Sequence, residues 1–93
     1  MSDIDEFYAK LKLQLDDTTT FPADYMYKFI VPTDDNQVVK VEELFNNTGA
    51  VIKTKKSKTG KYSSVSIVLN LATSDEVILY YREAEKIKGI ISL

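Results

Sequence analysis

A chain of 93 residues is the length of one domain, and a domain of this size closes one small core without staples. It contains no cysteine and no histidine, which removes disulfides, thiolate and imidazole metal sites, and the usual neutral-pH general base. A formal net charge of -2, a pI near 5.0 and the lack of any run near the ~20 apolar residues of a membrane span argue against a general nucleic-acid binder and a membrane protein. The acidic start Met1-Ser2-Asp3-Ile4-Asp5-Glu6 lacks the basic opening of a signal peptide, so the chain reads as cytoplasmic.

In chain order, residues 2–15 predict an amphipathic helix. Ile4, Phe7, Tyr8, Leu11 and Leu15 lie on one stripe, and Ser2 or Asp3 is the cap. Asp16 to Asp24, with Pro22 among short polar residues, reads as a connecting loop. Tyr25-Met26-Tyr27-Lys28-Phe29-Ile30-Val31 predicts a central strand, apolar on nearly both faces. Asp34, Asp35 and Asn36 supply caps for a helix over about 36–48, with Val38, Val41, Leu44, Phe45 and Thr48 inward and Gly49 as its stop.

Val51 to about Lys56 predicts a second strand and Tyr62 to Leu71 a third, joined by a turn in which Gly60 supplies positive φ. The third strand alternates. Val65, Ile67, Leu69 and Leu71 take one face, and Ser64, Ser66 and Asn70 take the other with Val68 as the exception. Thr73 and Glu76 form a capping box for a helix over about 75–87, with Val77, Ile78, Tyr81, Ala84 and Ile87 inward. Gly89 ends it before a last strand, Ile90 to Leu93. After the first helix the order is β-α-β-β-α-β. This predicts an α+β ferredoxin-like sandwich: an antiparallel four-stranded sheet with two helices on one face, plus an extra N-terminal helix. Residues 1–20 are the added helix and linker, and residues 21–93 are the domain.

Gly60-Lys61 does not complete a phosphate loop. The position five before the glycine is Lys55 and the residue after the lysine is Tyr62, so a hairpin turn accounts for it. Lys53, Lys55, Lys56, Lys58 and Lys61 cluster without an acidic neighbour. They can protect an edge strand or hold an anion, and alternation divides them between two faces. One constellation survives. If the helices take the Val65–Leu71 face, the open face carries Tyr62, Ser64, Ser66 and Val68 with Met26, Lys28 and Ile30, bordered by Lys53 and Lys55. Lys28, Lys53, Lys55, Ser64 and Ser66 are therefore the candidate anion or partner surface, with lysines as point charges and serines as donors. The rival expectation, preferred here, is that the N-terminal helix or another subunit covers this half-apolar face, because the Phe7–Leu15 stripe also needs a partner. Base stacking in the manner of RNA-recognition modules is disfavoured, since Ser64 and Ser66 stand where aromatics are needed.

The acidic pairs Asp16-Asp17, Asp34-Asp35 and Glu42-Glu43 are sequence neighbours that do not face each other across a substrate. No nucleophile is fixed beside a base. The chain therefore reads as a non-enzyme with no metal site and no cofactor.

Phe21-Pro22, Tyr27-Lys28-Phe29-Ile30-Val31, Ser57 through Ser66, Glu76-Val77-Ile78-Leu79-Tyr80-Tyr81 and Ile87-Lys88-Gly89-Ile90 together resemble the YbeD-like family of small uncharacterised bacterial proteins. The resemblance spans roughly residues 20–93, and the N-terminal helix looks like an addition. It implies a fold similar to ACT-type regulatory domains, which bind small metabolites, and it brings the family's label of lipoic-acid-binding regulator. The ACT pattern has a glycine-rich turn after the first strand. Here that turn is Pro32-Thr33-Asp34-Asp35-Asn36, without glycine, so the standard amino-acid site is not carried over. The expected partners are a small anionic metabolite or a protein, including a second copy of the chain, and not nucleic acid or membrane.

Overall fold

A computed structural model describes residues 3–33 and 36–93. Helix α1 (Asp3–Thr18) is followed by β1 (Ala23–Pro32), α2 (Gln37–Leu44), β2 (Val51–Lys56), β3 (Tyr62–Leu71), α3 (Ser74–Ala84) and β4 (Ile91–Ser92). The strands form one antiparallel sheet in the order β2-β3-β1-β4, the ferredoxin-like arrangement with β1 and β3 at the centre. No helix among the described residues is long and apolar enough to cross a membrane.

One face of the sheet makes the core. Tyr27, Phe29 and Val31 of β1 and Val65, Ile67, Leu69 and Leu71 of β3 are buried there beneath Val41 and Phe45 from the α2 side and Val77 and Ala84 of α3. Period-two alternation places these residues together, because β1 and β3 pair along ten residues with Tyr27 opposite Ile67 and Phe29 opposite Val65. An aromatic cluster fills the space between sheet and helices. Tyr27 stands 4.8 Å edge-on to Tyr81 and 5.4 Å from Phe45, and Tyr80 stacks on Phe45 at 4.7 Å. Tyr80 packs half-buried against the core, and Ile78, expected to face inward, is likewise only half-buried.

Helices α2 and α3 are shorter at their C-termini than periodicity predicts. Helix α2 ends at Leu44 instead of near 48: the Phe45 and Asn46 N–H groups bond three residues back, to the Glu42 and Glu43 carbonyls at 3.2 Å each, and Asn47 takes left-handed backbone at φ 62°. Beyond it the Thr48 hydroxyl donates to the Phe45 carbonyl at 2.6 Å and accepts from the Ala50 N–H at 3.2 Å. At its start, Asn36 sits at φ 59° and makes no side-chain cap, and Asp34 and Asp35, the other expected caps, lie outside the described residues. Helix α3 ends at Ala84, where Lys86 and Ile87 bond three residues back. Its N-terminus carries half of the predicted capping box: the Glu76 N–H donates to Thr73 Oγ1 at 3.3 Å, while the Glu76 carboxylate accepts from the Ala72 N–H at 3.2 Å instead of from Thr73.

Helix α1 departs most from expectation. It continues through Asp16, Asp17 and Thr18, residues that composition assigns to the loop, and the expected cap Ser2 lies outside the described residues. It does not cover the open sheet face. It lies antiparallel to α3 in the helical layer, and the residues that hold it there are mostly polar. Arg82 donates to Asp5 at 2.9 Å, and the Tyr8 hydroxyl donates to Glu85 at 2.8 Å. Lys12 reaches Asp75 at 3.1 Å and Ser74 at 3.0 Å, and Ser74 donates to Asp16 at 2.6 Å. Asp5, Tyr8, Lys12 and Asp16 form their own helical stripe, one position along from the apolar one. On the apolar stripe Leu15 alone is fully buried, Leu11 is half-buried, and Ile4 and Phe7 are exposed.

The docked tyrosines make stability sensitive to alkali. Partial burial, then the bond to Glu85, pushes the Tyr8 hydroxyl up to about 12, and burial likewise raises Tyr27 and Tyr81. Unfolded tyrosines lose their protons near pH 10, while these hold theirs to higher pH. Their contribution is complete below about pH 10 and is lost as pH rises through the folded values. Thermal melts from pH 8 to 11.5 should show the midpoint falling above about pH 10, with a shallower fall for Tyr8→Phe. A flat profile to pH 11.5 would contradict the coupling.

Candidate anion or partner surface on the open sheet face

The second face of the sheet is left uncovered by all three helices, and strand register determines which side chains meet there. Lys53 of β2 is directly opposite Ser66 of β3, which is opposite Lys28 of β1. One row on, Lys55 is opposite Ser64, which is opposite Ile30, and Ile30 is opposite Ile91 of β4. Facing residues on neighbouring strands lie about 5 Å apart, so Lys28 and Lys53 start about 10 Å apart across Ser66. Two long ammonium side chains on that spacing can converge on one anion above the serine.

All five residues of the predicted surface therefore occupy adjoining positions on one face. The three lysines are exposed and the two serines half-buried. Lys56 faces the other way with Ile52 and Thr54, as alternation predicts, and stands outside the row. None of Lys28, Lys53, Lys55, Lys56, Lys58 and Lys61 makes an ion pair with another described residue. The described cations that do pair, Lys12, Arg82 and Lys86, all belong to the helical layer or its edge. No acidic residue occurs between Leu44 and Ser74, whereas acids line all three helices; the open face also carries Asp24 of β1, which accepts from Asn70 Nδ2 at 3.2 Å beyond the Met26 row.

The serines have spare hydrogen-bonding capacity. Ser64 Oγ donates to the Lys55 carbonyl across a long 3.4 Å, and Ser66 Oγ has no bond with a described residue. Beside the polar rows the face is apolar. Val51, Val68 and Met26 make a row of their own, with Met26 62% exposed, and Ile91 and Leu93 lie exposed at the β4 edge. Among the described residues no group of histidine, cysteine, aspartate and glutamate could hold a metal.

The hairpin end of this face adds residues that spacing alone does not assign to the site. Ile30, Tyr62, Lys58, Lys55 and Ser64 line an open cleft of about 320 Å³. Alternation places Ile30 and Tyr62 on the face, but nothing in the sequence says that the Lys58 turn folds toward them. That follows from the turn itself. The Ser57 N–H donates to the Tyr62 carbonyl at 2.8 Å, the Gly60 N–H donates to the Ser57 carbonyl at 3.0 Å, and Gly60 sits at φ 75°.

A model of the family described as protein of unknown function, DUF493, matches residues 16–93. Among solved structures, the chain is similar to the solution structure of protein HP0495 from H. pylori, at 19% identity over 82% of this chain and 86% of that one, with a TM-score of 0.64. It is also similar to the ACT domain of GTP pyrophosphokinase from Chlorobium tepidum, at 8% identity over 76% of this chain and 100% of that one, with a TM-score of 0.54. At these identities the likeness is one of fold. No curated protein matches the chain.

Proposed function

The chain belongs to the DUF493 family, the YbeD-like family that its sequence resembles, and from that premise we propose that it is a non-enzymatic regulatory or binding domain whose open sheet face holds a small anionic metabolite in the cytoplasm of a bacterium. The observation that carries this reading is the row Lys53–Ser66–Lys28, two cations without an acidic partner among the described residues, flanking a hydroxyl with no bond to any of them on an uncovered face. In a structural role the lysines would guard only the β2 edge against pairing with another sheet. Lys28 is on central strand β1, where edge protection gives no reason for a charge. The family label makes lipoate the first carboxylate to try, beside acetate and inorganic phosphate.

Amide spectra recorded during titration with these anions test the reading. Bound anion should shift the amides of Lys28, Ser64 and Ser66. At a hundredfold excess over Kd it should stabilise the fold by about 2.7 kcal/mol. Lys28→Ala and Lys53→Ala should each weaken binding roughly fivefold, the loss of one partly exposed charge-assisted contact. Unmoved amides at millimolar anion would remove this function.

A second reading is a structural homodimer through the same face, favoured by the exposed apolar row of Met26, Val68 and Val51. A dimer of this kind melts at a temperature that rises with protein concentration and is indifferent to anions.

A further inference from the structure

Of the six tyrosines, Tyr8, Tyr25, Tyr27, Tyr80 and Tyr81 all stand in ring–ring contacts, most of them in the aromatic cluster of the core. Among the described residues Tyr62 has no ring contact and its hydroxyl no hydrogen-bond partner. Its ring is 48% exposed and forms one wall of the hairpin cleft. The backbone beneath the ring is held firmly: the Tyr62 carbonyl accepts from the Ser57 N–H at 2.8 Å, and the Tyr62 N–H donates to Ser57 Oγ at 3.3 Å. Ile30 is a second apolar surface, and the charge comes from Lys55 and Lys58, with the Ser64 hydroxyl on the same side.

We infer that this cleft binds a small aromatic anion, a single ring bearing a phosphate or carboxylate, with the ring stacked on Tyr62 and the charged head between Lys55 and Lys58. The inference rests on the open-face anion reading for its charge and adds the aromatic body to it. A cleft of about 320 Å³ is at the small end of ligand pockets, the size for one ring and its head group. A bare anion would leave the aromatic wall unused and would meet only lysines open to water, where salt screens them. A flat ring on Tyr62 gains stacking and excludes water from the head group, and the lysine contacts strengthen accordingly. Lys55 and Ser64 belong to the row next to Lys28 and Ser66, so a ligand seated in the cleft is contiguous with the proposed anion surface.

Five probes test it by amide shifts and calorimetry on the full chain: phenyl phosphate, benzoate, inorganic phosphate, acetate and cyclohexanecarboxylate. The expected result is that phenyl phosphate binds roughly tenfold more tightly than phosphate, or benzoate roughly tenfold more tightly than acetate, with shifts at Tyr62, Ser64 and Lys55. Whichever aromatic probe leads identifies the head group, and cyclohexanecarboxylate should fall well below benzoate. Tyr62→Leu should erase the advantage of the ring, Tyr62→Phe should keep it, and Lys58→Ala, outside the strands, should weaken both aromatic probes without disturbing the fold. Equal binding with and without the ring, or an advantage that survives Tyr62→Leu, overturns the cleft inference while the open-face anion surface stands. Binding by none of the probes overturns both.

Discussion

Tyr27→Ala is expected to remove about 3–5 kcal/mol of stability, the range for truncating a large aromatic side chain in a packed core. Domains of this kind have about 5–15 kcal/mol in all, so the variant should be marginal at room temperature. Tyr27 is fully buried on central strand β1, at the point where sheet, α2 side and α3 meet. Its ring lies 5.6 Å from Phe29, 5.4 Å from Phe45 and 4.8 Å from Tyr81, and its hydroxyl donates to the Val77 carbonyl at 2.8 Å. Truncation leaves a cavity bordered by rings that are each fixed by other neighbours, so little of it can collapse. Tyr27→Phe separates packing from the hydrogen bond and should cost only about 1 kcal/mol. Urea denaturation measures both: the midpoint should move far for alanine and little for phenylalanine, at an unchanged m-value. Similar losses in the two variants would place the stabilisation in the hydroxyl instead of the ring.

Gly89→Ala has the second largest expected effect, a loss of about 2 kcal/mol or more. Gly89 occupies φ 79°, left-handed backbone that costs a residue with a Cβ about 1–2 kcal/mol. A Cβ at this position would also stand 2.9 Å from Pro32 Cγ and 3.1 Å from Cδ, the ring of a residue held in β1, so something must shift. The consequence is local as well as global. Gly89 directs the chain into β4, which pairs with β1 only at Phe29 and Ile30 and through the Leu93 N–H to the Lys28 carbonyl at 2.9 Å. A displaced turn should free the Leu93 and Ile30 amides for hydrogen exchange while β1–β3 amides stay protected. Unchanged exchange at Ile30 and Leu93 with full stability would show that the turn is not constrained by Pro32. Gly49 and Gly60 also have positive φ but have open space around their Cβ positions, so alanine there should cost only the backbone term.

How much of this was legible in the sequence depends on the range of the interactions that decide each feature. The bounds of β2 and β3 are those that alternation and turn chemistry predict, Val51–Lys56 and Tyr62–Leu71, because a hairpin closes between residues near in sequence. The same period-two rule assigned Lys28, Lys53, Lys55, Ser64 and Ser66 to one face, and the register then made them neighbours. Whether that surface holds an anion is a separate question, answered by titration. The ends of α2 and α3 were not legible, since propensity carries each helix further than the backbone goes. At α2 the backbone shifts to bonds three residues back at Phe45 and Asn46 and turns left-handed at Asn47, and at α3 a three-residue turn leads toward β4. Gly49 and Gly89 are read from the sequence as the ends of α2 and α3; both take positive φ, but each follows its helix at a distance of several residues.

Of the two covers expected for the open face, α1 or another subunit, α1 is not one. Its apolar stripe says that the helix needs a partner without saying which one, and an uncovered sheet face looked like the complement. The partner proved to be α3, matched through Arg82, Ser74, Asp75 and Glu85 to Asp5, Tyr8, Lys12 and Asp16. In the sequence Tyr8 belongs to the apolar stripe and Asp16 to the loop, and nothing marks Asp5 or Lys12 for α3, because a charge shows its partner only when two distant segments are brought together.

By itself, then, the sequence determined the ferredoxin-like sandwich, the two faces of its sheet and the absence of cysteine and histidine chemistry, all set by local periodicity and composition. Tertiary structure alone decided that the lysine face stays open, that its basic residues make no ion pair with another described residue, and that Tyr62 stands apart from the other tyrosines beside Lys58. The first two depend on where α1 docks, a long-range packing outcome that no residue encodes on its own, and the third on the backbone of the turn at 57–62, which side-chain alternation does not specify.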